Sequence, residues 1–224
     1  MRVFTLIDDT VTFELLKQDG DKVSKGDIIL TMKGHTASLL KGERTALNLV
    51  QHMSGIATAT NRCVELVKGT NASIADTRKT LPGLRALQKY AVVAGGGKNH
   101  RYNLSDAAML KDNHIDAYGS LTNAVNALRA KAGHMVKIEV ETRSLEELEE
   151  ALAVGADVIM LDNMDCATMA EAVKRTAGRA KLVASGNITL ENIAEVAKTG
   201  VDIISLGALT HSVTCFDISM KIDN

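Results

Sequence analysis

The sequence predicts an α/β protein whose main part is a parallel β/α barrel, preceded by a small β-rich domain. Two observations point to this fold class. From about residue 73 onward, short apolar segments alternate with longer segments of helical period, which is typical of βαβ units and a parallel sheet. Segments 154–159 and 199–204 also resemble each other. Each reads as a helix end, a glycine cap and a buried strand, as expected for repeated units.

Residues 1–42 form the predicted small domain. Segments 4–7, 10–16 and 28–31 are rich in β-branched and apolar residues and are separated by glycines. This pattern favours short strands joined by turns. We expect the barrel to cover residues 43–212, and residues 213–224 to return to the N-terminal domain.

The predicted barrel starts with a helical pattern from Glu43 to residue 67, in which Ser54-Gly55 can introduce a bend. Six predicted strands follow, at residues 73–76, 108–111, 136–141, 158–161, 181–184 and 202–206. Five predicted helices alternate with them, at residues 81–91, 121–131, 145–154, 166–176 and 190–198. A TIM-like barrel, complete or incomplete, accounts for this order. An open doubly wound sheet is the competing architecture.

Composition excludes several classes of function. A net charge of −1 gives no global attraction to nucleic acid or to an anionic membrane. Aromatic residues make up 3% of the chain, which argues against a module that stacks on bases. The sequence shows neither a long apolar run nor a signal-peptide pattern. The three cysteines lack metal or disulfide spacing, which favours a reduced, cytoplasmic setting.

One predicted strand, at residues 136–141, carries charge on a single face. Because side chains alternate along a strand, Lys137, Glu139 and Glu141 face the barrel interior while the apolar residues between them face the outer helices. Buried charge is costly unless it is paired. The pattern therefore indicates a functional site, and the ordinary alternative is an exposed strand face.

A group of cationic and hydroxyl side chains follows the first predicted strands or lies close to them. Guanidinium forks hold planar carboxylates, and lysine supplies a compact charge. Cations gathered on neighbouring loops repel one another, so the pattern predicts a multiply charged anionic ligand. Solvated surface charge is the alternative for each cation alone. The group consists of Arg44, Thr77, Arg78, Lys79, Thr80, His100, Arg101 and Lys111.

The last predicted strands end in small residues, Ser185-Gly186-Asn187 and Gly207-Ala208. In β/α barrels the last two loops commonly form a phosphate site, although tight turns also need glycine. Glu141 and Asp162 offer acceptors that suit sugar hydroxyls. The predicted rim therefore fits a ribose phosphate placed beside an anionic ring.

Seven motifs, in order along the chain, closely resemble those of the quinolinate phosphoribosyltransferase family. The resemblance spans the chain from about residue 3 onward and is specific, because several of the motifs are long. The motifs are ERTALN (43–48), SGIAT (54–58), DTRKTLPGLR (76–85), GGGKNHR (95–101), KDNHI (111–115), LDN (161–163) and SGNIT (185–189).

The resemblance implies that quinolinate and phosphoribosyl pyrophosphate give nicotinate mononucleotide, pyrophosphate and CO2, in a step of NAD biosynthesis assisted by Mg²⁺. It implies a homodimer in which Arg44 reaches the neighbouring site. The implied catalytic residues are Lys79, Lys111, Glu141 and Asp162. The implied quinolinate pocket consists of Arg44, Thr77, Arg78, Lys79, His100, Arg101 and Lys111. The implied ribose and phosphate site consists of Glu141, Asp162, Ser185, Gly186, Asn187, Gly207, Ala208 and His211.

The resemblance also implies a longer N-terminal segment, so that the chain starts inside a partial α/β-sandwich domain. Asn187 stands where many relatives carry glycine. We expect Mg²⁺ to bind through phosphoribosyl pyrophosphate, without a direct protein ligand, and we expect His114 to be structural. Two rival functions remain open from the residues: a barrel phosphoribosyltransferase that acts on another base, and a non-catalytic protein that binds a phosphate ligand.

Overall fold

The computed structural model describes residues 1–222, which contain eight strands and nine helices. The strands are β1 (Thr12–Leu15), β2 (Leu30–Lys33), β3 (Ser73–Ala75), β4 (Ala108–Leu110), β5 (Ile138–Thr142), β6 (Val158–Asp162), β7 (Lys181–Ser185) and β8 (Ile203–Ser205). The helices are α1 (Arg2–Thr5), α2 (Thr36–Leu66), α3 (Arg85–Ala94), α4 (Asp112–Tyr118), α5 (Leu121–Arg129), α6 (Leu145–Ala153), α7 (Cys166–Thr176), α8 (Ile193–Lys198) and α9 (Ala208–His211).

The main sheet has six parallel strands in the order β3-β8-β7-β6-β5-β4. Each strand from β4 to β7 lies beside its successor, and the first strand of the sheet pairs with the last. This cyclic order belongs to a barrel, since a doubly wound sheet reverses direction at its first strand. The predicted barrel is therefore confirmed, and the doubly wound alternative is wrong.

The barrel encloses an interior cavity of about 320 Å³. Side chains from β3, β5, β6, β7 and β8 all line it, together with the segment 98–101. Lys98 makes a parallel bridge with Ala75 on the free edge of β3. The Arg101 guanidinium then reaches across to the chain just before β4, where it donates to the Ala107 carbonyl at 2.9 Å. The two edges of the sheet thus face each other around one interior.

Helices surround the sheet in a ring. Helices α5, α6, α7 and α8 pack in sequence against one another, and α2 lies between α8 and α3. The core between helices and strands is apolar, and its best-buried members include Ile56, Ile138, Val140, Leu148 and Ile159. No helix within residues 1–222 is long and apolar enough to cross a membrane.

The small N-terminal part contains the antiparallel pair β1–β2, in which Thr12 lies opposite Lys33. The strand predicted at residues 4–7 is wrong, because Arg2–Thr5 form the short helix α1. Phe4 is buried against Gly42 of α2, where an added Cβ would come within 2.6 Å of the ring. Packing of this one aromatic side chain onto a glycine outweighs the β propensity of the neighbouring residues.

Helix α2 begins at Thr36 rather than at Glu43, and it continues through Ser54-Gly55 to Leu66. Gly55 is required for a close approach instead of a bend, because an added Cβ there would collide with the Thr214 carbonyl. The C-terminal segment is hydrogen-bonded to α2, because the backbone carbonyl of Gln51 accepts from the Phe216 amide at 2.9 Å. The division of the chain at residues 42 and 212 stays a prediction.

The remaining elements differ from their predicted bounds mainly at the start of helices. Helix α3 begins at Arg85 rather than at residue 81, and α8 begins at Ile193 rather than at residue 190. Helix α4, directly after β4, was not predicted. Helix α7 has the predicted bounds, and its start is fixed by Asp165, whose carboxylate accepts from the Thr168 amide at 2.7 Å.

Candidate active site

A buried ion pair lies beneath the carboxyl end of β3. Lys89 Nζ on α3 lies 2.5 Å from Asp76 Oδ1, and both side chains are almost completely buried. Lys89 also donates to the His100 carbonyl at 3.0 Å, while Asp76 Oδ1 accepts from the His100 amide at 2.8 Å. Burial raises the pKa of Asp76, and the Lys89 ammonium and the His100 amide act against that increase. The pair ties the end of β3 to the segment that carries His100 and Arg101.

The loop after Asp76 is held through its backbone. Ser205 Oγ donates to the Asp76 carbonyl at 3.1 Å, and Thr210 Oγ1 donates to the Lys79 carbonyl at 2.8 Å. Buried Gln88 accepts from the Leu81 amide at 2.9 Å through its side-chain oxygen. The side chains of Arg78 and Lys79 take no part in these bonds.

Arg85 at the start of α3 joins this loop to its neighbour. Its guanidinium donates to Thr80 Oγ1 at 3.0 Å and to the Arg78 carbonyl at 3.3 Å. A third bond, of 3.2 Å, reaches the Tyr102 carbonyl just after Arg101. Because a guanidinium offers several donors in a fixed plane, one arginine sets the spacing of two cation-bearing loops.

Two arginines and a histidine meet around one interior carboxylate. His100 Nε2 lies 2.8 Å from Glu139 Oε2 on β5. Burial first, and then the nearby charge of Arg78, lower the pKa of Arg101, while Glu139 acts in the opposite direction. Arg78, His100 and Arg101 are therefore brought together, as the sequence suggested.

Lys111 follows β4 and contacts the next strand. Its Nζ lies 3.0 Å from Glu141 Oε2. His114 Nδ1 accepts from the Lys111 amide at 3.0 Å, which caps the start of α4. The imidazole thus holds backbone at a helix start, as expected of a structural histidine.

Lys79 extends toward the last strand of the barrel. An added Cβ on Gly207, directly after Leu206 and β8, would come within 3.2 Å of Lys79 Cδ and 3.1 Å of His211 Nε2. The cationic end of the rim and the small-residue end therefore meet at Gly207. Thr77 supports Lys79 locally, because its hydroxyl accepts from the Lys79 amide at 3.0 Å.

Asp162 at the end of β6 is oriented by a chain of amides. Asn163 Nδ2 donates to Asp162 Oδ2 at 2.7 Å, and Asn187 Nδ2 donates to Asn163 Oδ1 at 2.9 Å. Both asparagines have left-handed backbone angles, with φ of 54° and 51°. Gly186 lies against the Asn163 amide so closely that no side chain would fit there. Ser185, Gly186 and Asn187 therefore adjoin the Asp162 carboxylate.

One predicted site residue lies apart from this rim. Arg44 is exposed on α2, and it has no hydrogen bond or ion pair with any residue in the described part of the chain. Ala208 begins α9 at the small-residue end, and His211 at the end of α9 contacts the Ser212 hydroxyl at 2.8 Å. Residues 1–222 contain no group of three or more His, Cys, Asp or Glu side chains that could hold a metal ion.

Three residues that shape the rim were not singled out from the sequence: Arg85, Gln88 and Lys89. All three lie on α3, and Gln88 and Lys89 are buried among Ala91 and Val92. A signal for them was present, because a lysine and a glutamine interrupt the apolar face of a short helix. Polar residues at such positions need buried partners.

The fold and rim define a β/α-barrel protein with a cluster of basic side chains and two carboxylates at its strand ends. Models of the quinolinate phosphoribosyl transferase N-terminal and C-terminal domains match residues 1–54 and 56–221. The chain belongs to the quinolinate phosphoribosyltransferase family.

Individual relatives agree with that membership. The chain is 52% identical over 219 residues to a probable nicotinate-nucleotide pyrophosphorylase (carboxylating) of Bacillus subtilis, which covers 98% of this chain and 76% of the relative. It is 50% identical over 208 residues to the corresponding enzyme of Mycobacterium leprae, covering 92% and 73%. The crystal structure of NadC from Streptococcus pyogenes superposes with a TM-score of 0.95 at 48% identity, over 98% of this chain and 78% of that one.

Proposed function

We propose that the protein transfers the phosphoribosyl group of phosphoribosyl pyrophosphate to quinolinate with loss of CO2, which yields nicotinate mononucleotide and pyrophosphate. The main supporting observation is that Arg78, His100 and Arg101 lie close together at one end of the barrel rim. The same rim also presents Glu141 and Asp162. Such a rim offers a cationic pocket for a dicarboxylate next to acceptors for a diol. Membership of the family supports this assignment.

The two substrates occupy different parts of the rim in this proposal. Quinolinate carboxylates contact Arg78, His100, Arg101 and Lys111, together with Thr77 and with Arg44 of a second subunit. The ribose hydroxyls face Glu141 and Asp162. The 5′-phosphate lies at the small-residue end, and Lys79 sits between the substrates next to Gly207. The residues around the phosphate are Ser185, Gly186, Asn187, Gly207, Ala208 and His211.

Charge development during transfer fits these positions. The ring nitrogen of quinolinate forms a bond to C1 of the ribose while the bond from C1 to pyrophosphate breaks, so positive charge develops on the sugar. Glu141 and Asp162 stabilise that charge, and Lys79 and Lys111 offset the negative charge of the substrates. Fixing two anionic substrates in line supplies a further part of the rate. The reaction needs no nucleophile from the protein.

Decarboxylation follows on the nucleotide. The bond between the ring carbon next to nitrogen and its carboxylate breaks, CO2 leaves, and the electron pair that stays on the carbon takes a proton from solvent. The positive ring nitrogen and the surrounding cations stabilise that carbanion. The second carboxylate stays on the ring as the acid group of nicotinate mononucleotide.

Mg²⁺ carried by phosphoribosyl pyrophosphate would neutralise the leaving group. The donor set fits a metal that arrives on its substrate without a direct protein ligand, since Glu141 is engaged by Lys111 and Asp162 by Asn163. We propose further that the protein acts as a homodimer in the cytoplasm, and that the exposed Arg44 side chain completes the neighbouring site.

The test uses the full chain with Mg²⁺, phosphoribosyl pyrophosphate and quinolinate labelled in the carboxylate next to nitrogen. We expect labelled CO2 and nicotinate mononucleotide in equal amounts, measured by trapping and chromatography. A parallel reaction with nicotinate as the base should give little product. Product from nicotinate alone would favour the transferase acting on another base. Binding of phosphoribosyl pyrophosphate without turnover would favour the non-catalytic alternative.

A further inference from the structure

Glu139 is a buried carboxylate that the proposed reaction does not use directly. It lies on the interior face of β5 and is 6% exposed. Its Oε2 lies 2.8 Å from His100 Nε2. Its other oxygen, Oε1, is buried and has no hydrogen-bond partner within residues 1–222. A carboxylate oxygen left in this state is costly, so the residue requires an explanation beyond packing.

The surroundings of Glu139 are cationic. His100, Arg101, Lys98 and Lys137 line the same interior cavity, and Arg78 adds its charge to that of Arg101. Glu139 is the one carboxylate among the residues that line this cavity in the described chain. Arg78 and Arg101 belong to the proposed acid-binding pocket, where they repel each other before an anion arrives.

We propose that Glu139 is a positioning residue for the acid-binding pocket, which it serves through His100. With its Oε2 2.8 Å from Nε2, the carboxylate favours a proton on that nitrogen and thereby fixes the plane of the ring. Its negative charge also holds Arg101 and His100 close together in the free enzyme. Glu139 lies behind His100 and does not touch the substrate.

The chemistry of the pair explains why a carboxylate is used. A neutral amide in the same place would keep an acceptor near Nε2, but it would leave the arginines without a counter-charge. A purely apolar side chain would fill the interior and leave the ring free to turn. Only an ionised group performs both tasks, and the unpartnered Oε1 is the cost of placing it inside the barrel.

The test compares Glu139→Gln, which keeps size and an acceptor, with the wild type, with His100→Ala and with the double variant. This inference rests on the proposed function, so steady-state kinetics are measured for each substrate separately. We expect Glu139→Gln to raise KM for quinolinate about tenfold, the scale of one charge-assisted hydrogen bond, with kcat and KM for phosphoribosyl pyrophosphate within about twofold. In the His100→Ala background the same change should have a smaller effect than in the wild type, because the part that acts through His100 is already lost.

A wild-type measurement keeps the inference testable if Glu139→Gln does not fold. Nitrogen-15 NMR of the His100 ring in the free protein should show a proton on Nε2. A ring that carries its proton on Nδ1 alone would overturn the inference. An unchanged quinolinate KM in folded Glu139→Gln, or effects of the two variants that simply multiply, would do the same. A wild-type enzyme that forms no product refutes the proposed function instead. The NMR result still tests whether Glu139 sets the protonated nitrogen of His100.

Discussion

At the scale of single residues, the orientation of Asp162 depends on two side chains from different loops. Asn163 uses its Nδ2 group to hold the carboxylate, and Asn187 occupies the Asn163 oxygen. With that oxygen engaged, the Asn163 amide cannot rotate and present oxygen to the carboxylate. Asn187 thus stabilises the one amide orientation that is attractive for Asp162.

Replacing Asn187 with glycine tests this chain of amides. Glycine accepts the left-handed φ of 51° without strain, so the backbone is retained while the donor to Asn163 is lost. We expect kcat/KM for phosphoribosyl pyrophosphate to fall by roughly fivefold, in line with one neutral hydrogen bond, at unchanged KM for quinolinate. The matched variant Asn163→Gly, also at a left-handed position, should lose more. Equal activity of Asn187→Gly and the wild type would contradict the idea.

Arg101→Ala tests the division of the rim between the two substrates. Loss of a guanidinium that binds a carboxylate should raise KM for quinolinate by roughly 10- to 100-fold. The affinity for phosphoribosyl pyrophosphate, measured alone by calorimetry, should change little. Arg175→Ala on α7, which removes an exposed arginine paired with Glu171, is the control. Equal loss for both substrates would refute the division.

The sequence could predict which residues reach the rim, but not how they are held. Polar residues such as Lys111, Glu141 and Asp162 directly follow or end strands, and the barrel rule places such residues together. The partnership of Asn187 with Asn163 and that of Lys89 with Asp76 join distant parts of the chain. Nothing in the local pattern states which side chain meets which across that distance.

At the scale of elements, the Asp76–Lys89 pair connects β3, α3 and the segment 98–101. Asp76 accepts from Lys89 and from the His100 amide, and Lys89 also donates to the His100 carbonyl. The three pieces are joined by charge-assisted bonds in a site without solvent. Loss of one partner leaves the other charge buried and alone.

Lys89→Met should therefore destabilise the protein by about 3–5 kcal/mol near neutral pH, as measured by urea unfolding. The double variant Lys89→Met/Asp76→Asn should recover part of that loss, because no unpaired charge remains. A single variant as stable as the wild type would show that the pair is not needed.

The same variant should show a characteristic pH dependence. Burial already raises the pKa of Asp76, and Lys89 opposes the increase. Without Lys89 the folded protein holds the Asp76 proton up to a higher pH than the unfolded chain does. The stability of Lys89→Met should then be highest relative to the wild type in acid, and should fall as pH rises from the ordinary carboxyl pKa through the raised one. A stability difference that does not depend on pH would contradict this account.

Strand and helix alternation was predictable for the barrel, whereas short elements were not. Helix α4 has an aspartate and an asparagine in its first turn and no buried residue, so apolar periodicity could not reveal it. Helix α1 packs on α2 through a close approach of Phe4 to Gly42, which lies far away in sequence. In both cases tertiary contacts or capping outweigh the local pattern.

At the scale of the whole molecule, the rim collects side chains from almost the full length of the barrel, yet Arg44 remains outside it. Mixing Arg44→Ala with Lys111→Ala tests whether a second subunit supplies the arginine. In mixed dimers one site carries both defects and the other carries none. With random exchange we expect about a quarter of wild-type activity from two nearly inactive variants. Activity that stays at the level of the separate variants at every mixing ratio would refute a shared site.

The sequence pattern alone could not predict how the subunits assemble. The cyclic strand order follows from repeated right-handed units, so the barrel was predictable from alternation. An exposed arginine on a long helix has no local feature that distinguishes a surface charge from a residue of a neighbouring site. The interpretation of Arg44 came from the motif around it rather than from its chemistry.

The loop after β3 is fixed by its carbonyl and amide groups, while Arg78 and Lys79 extend from it without bracing it. Its shape consequently does not depend on the side chains at positions 78 and 79. Exchange of these two residues should therefore leave the loop in place. A designer can use the same freedom: libraries confined to positions 78 and 79 should remain folded and differ only in the ligand they select.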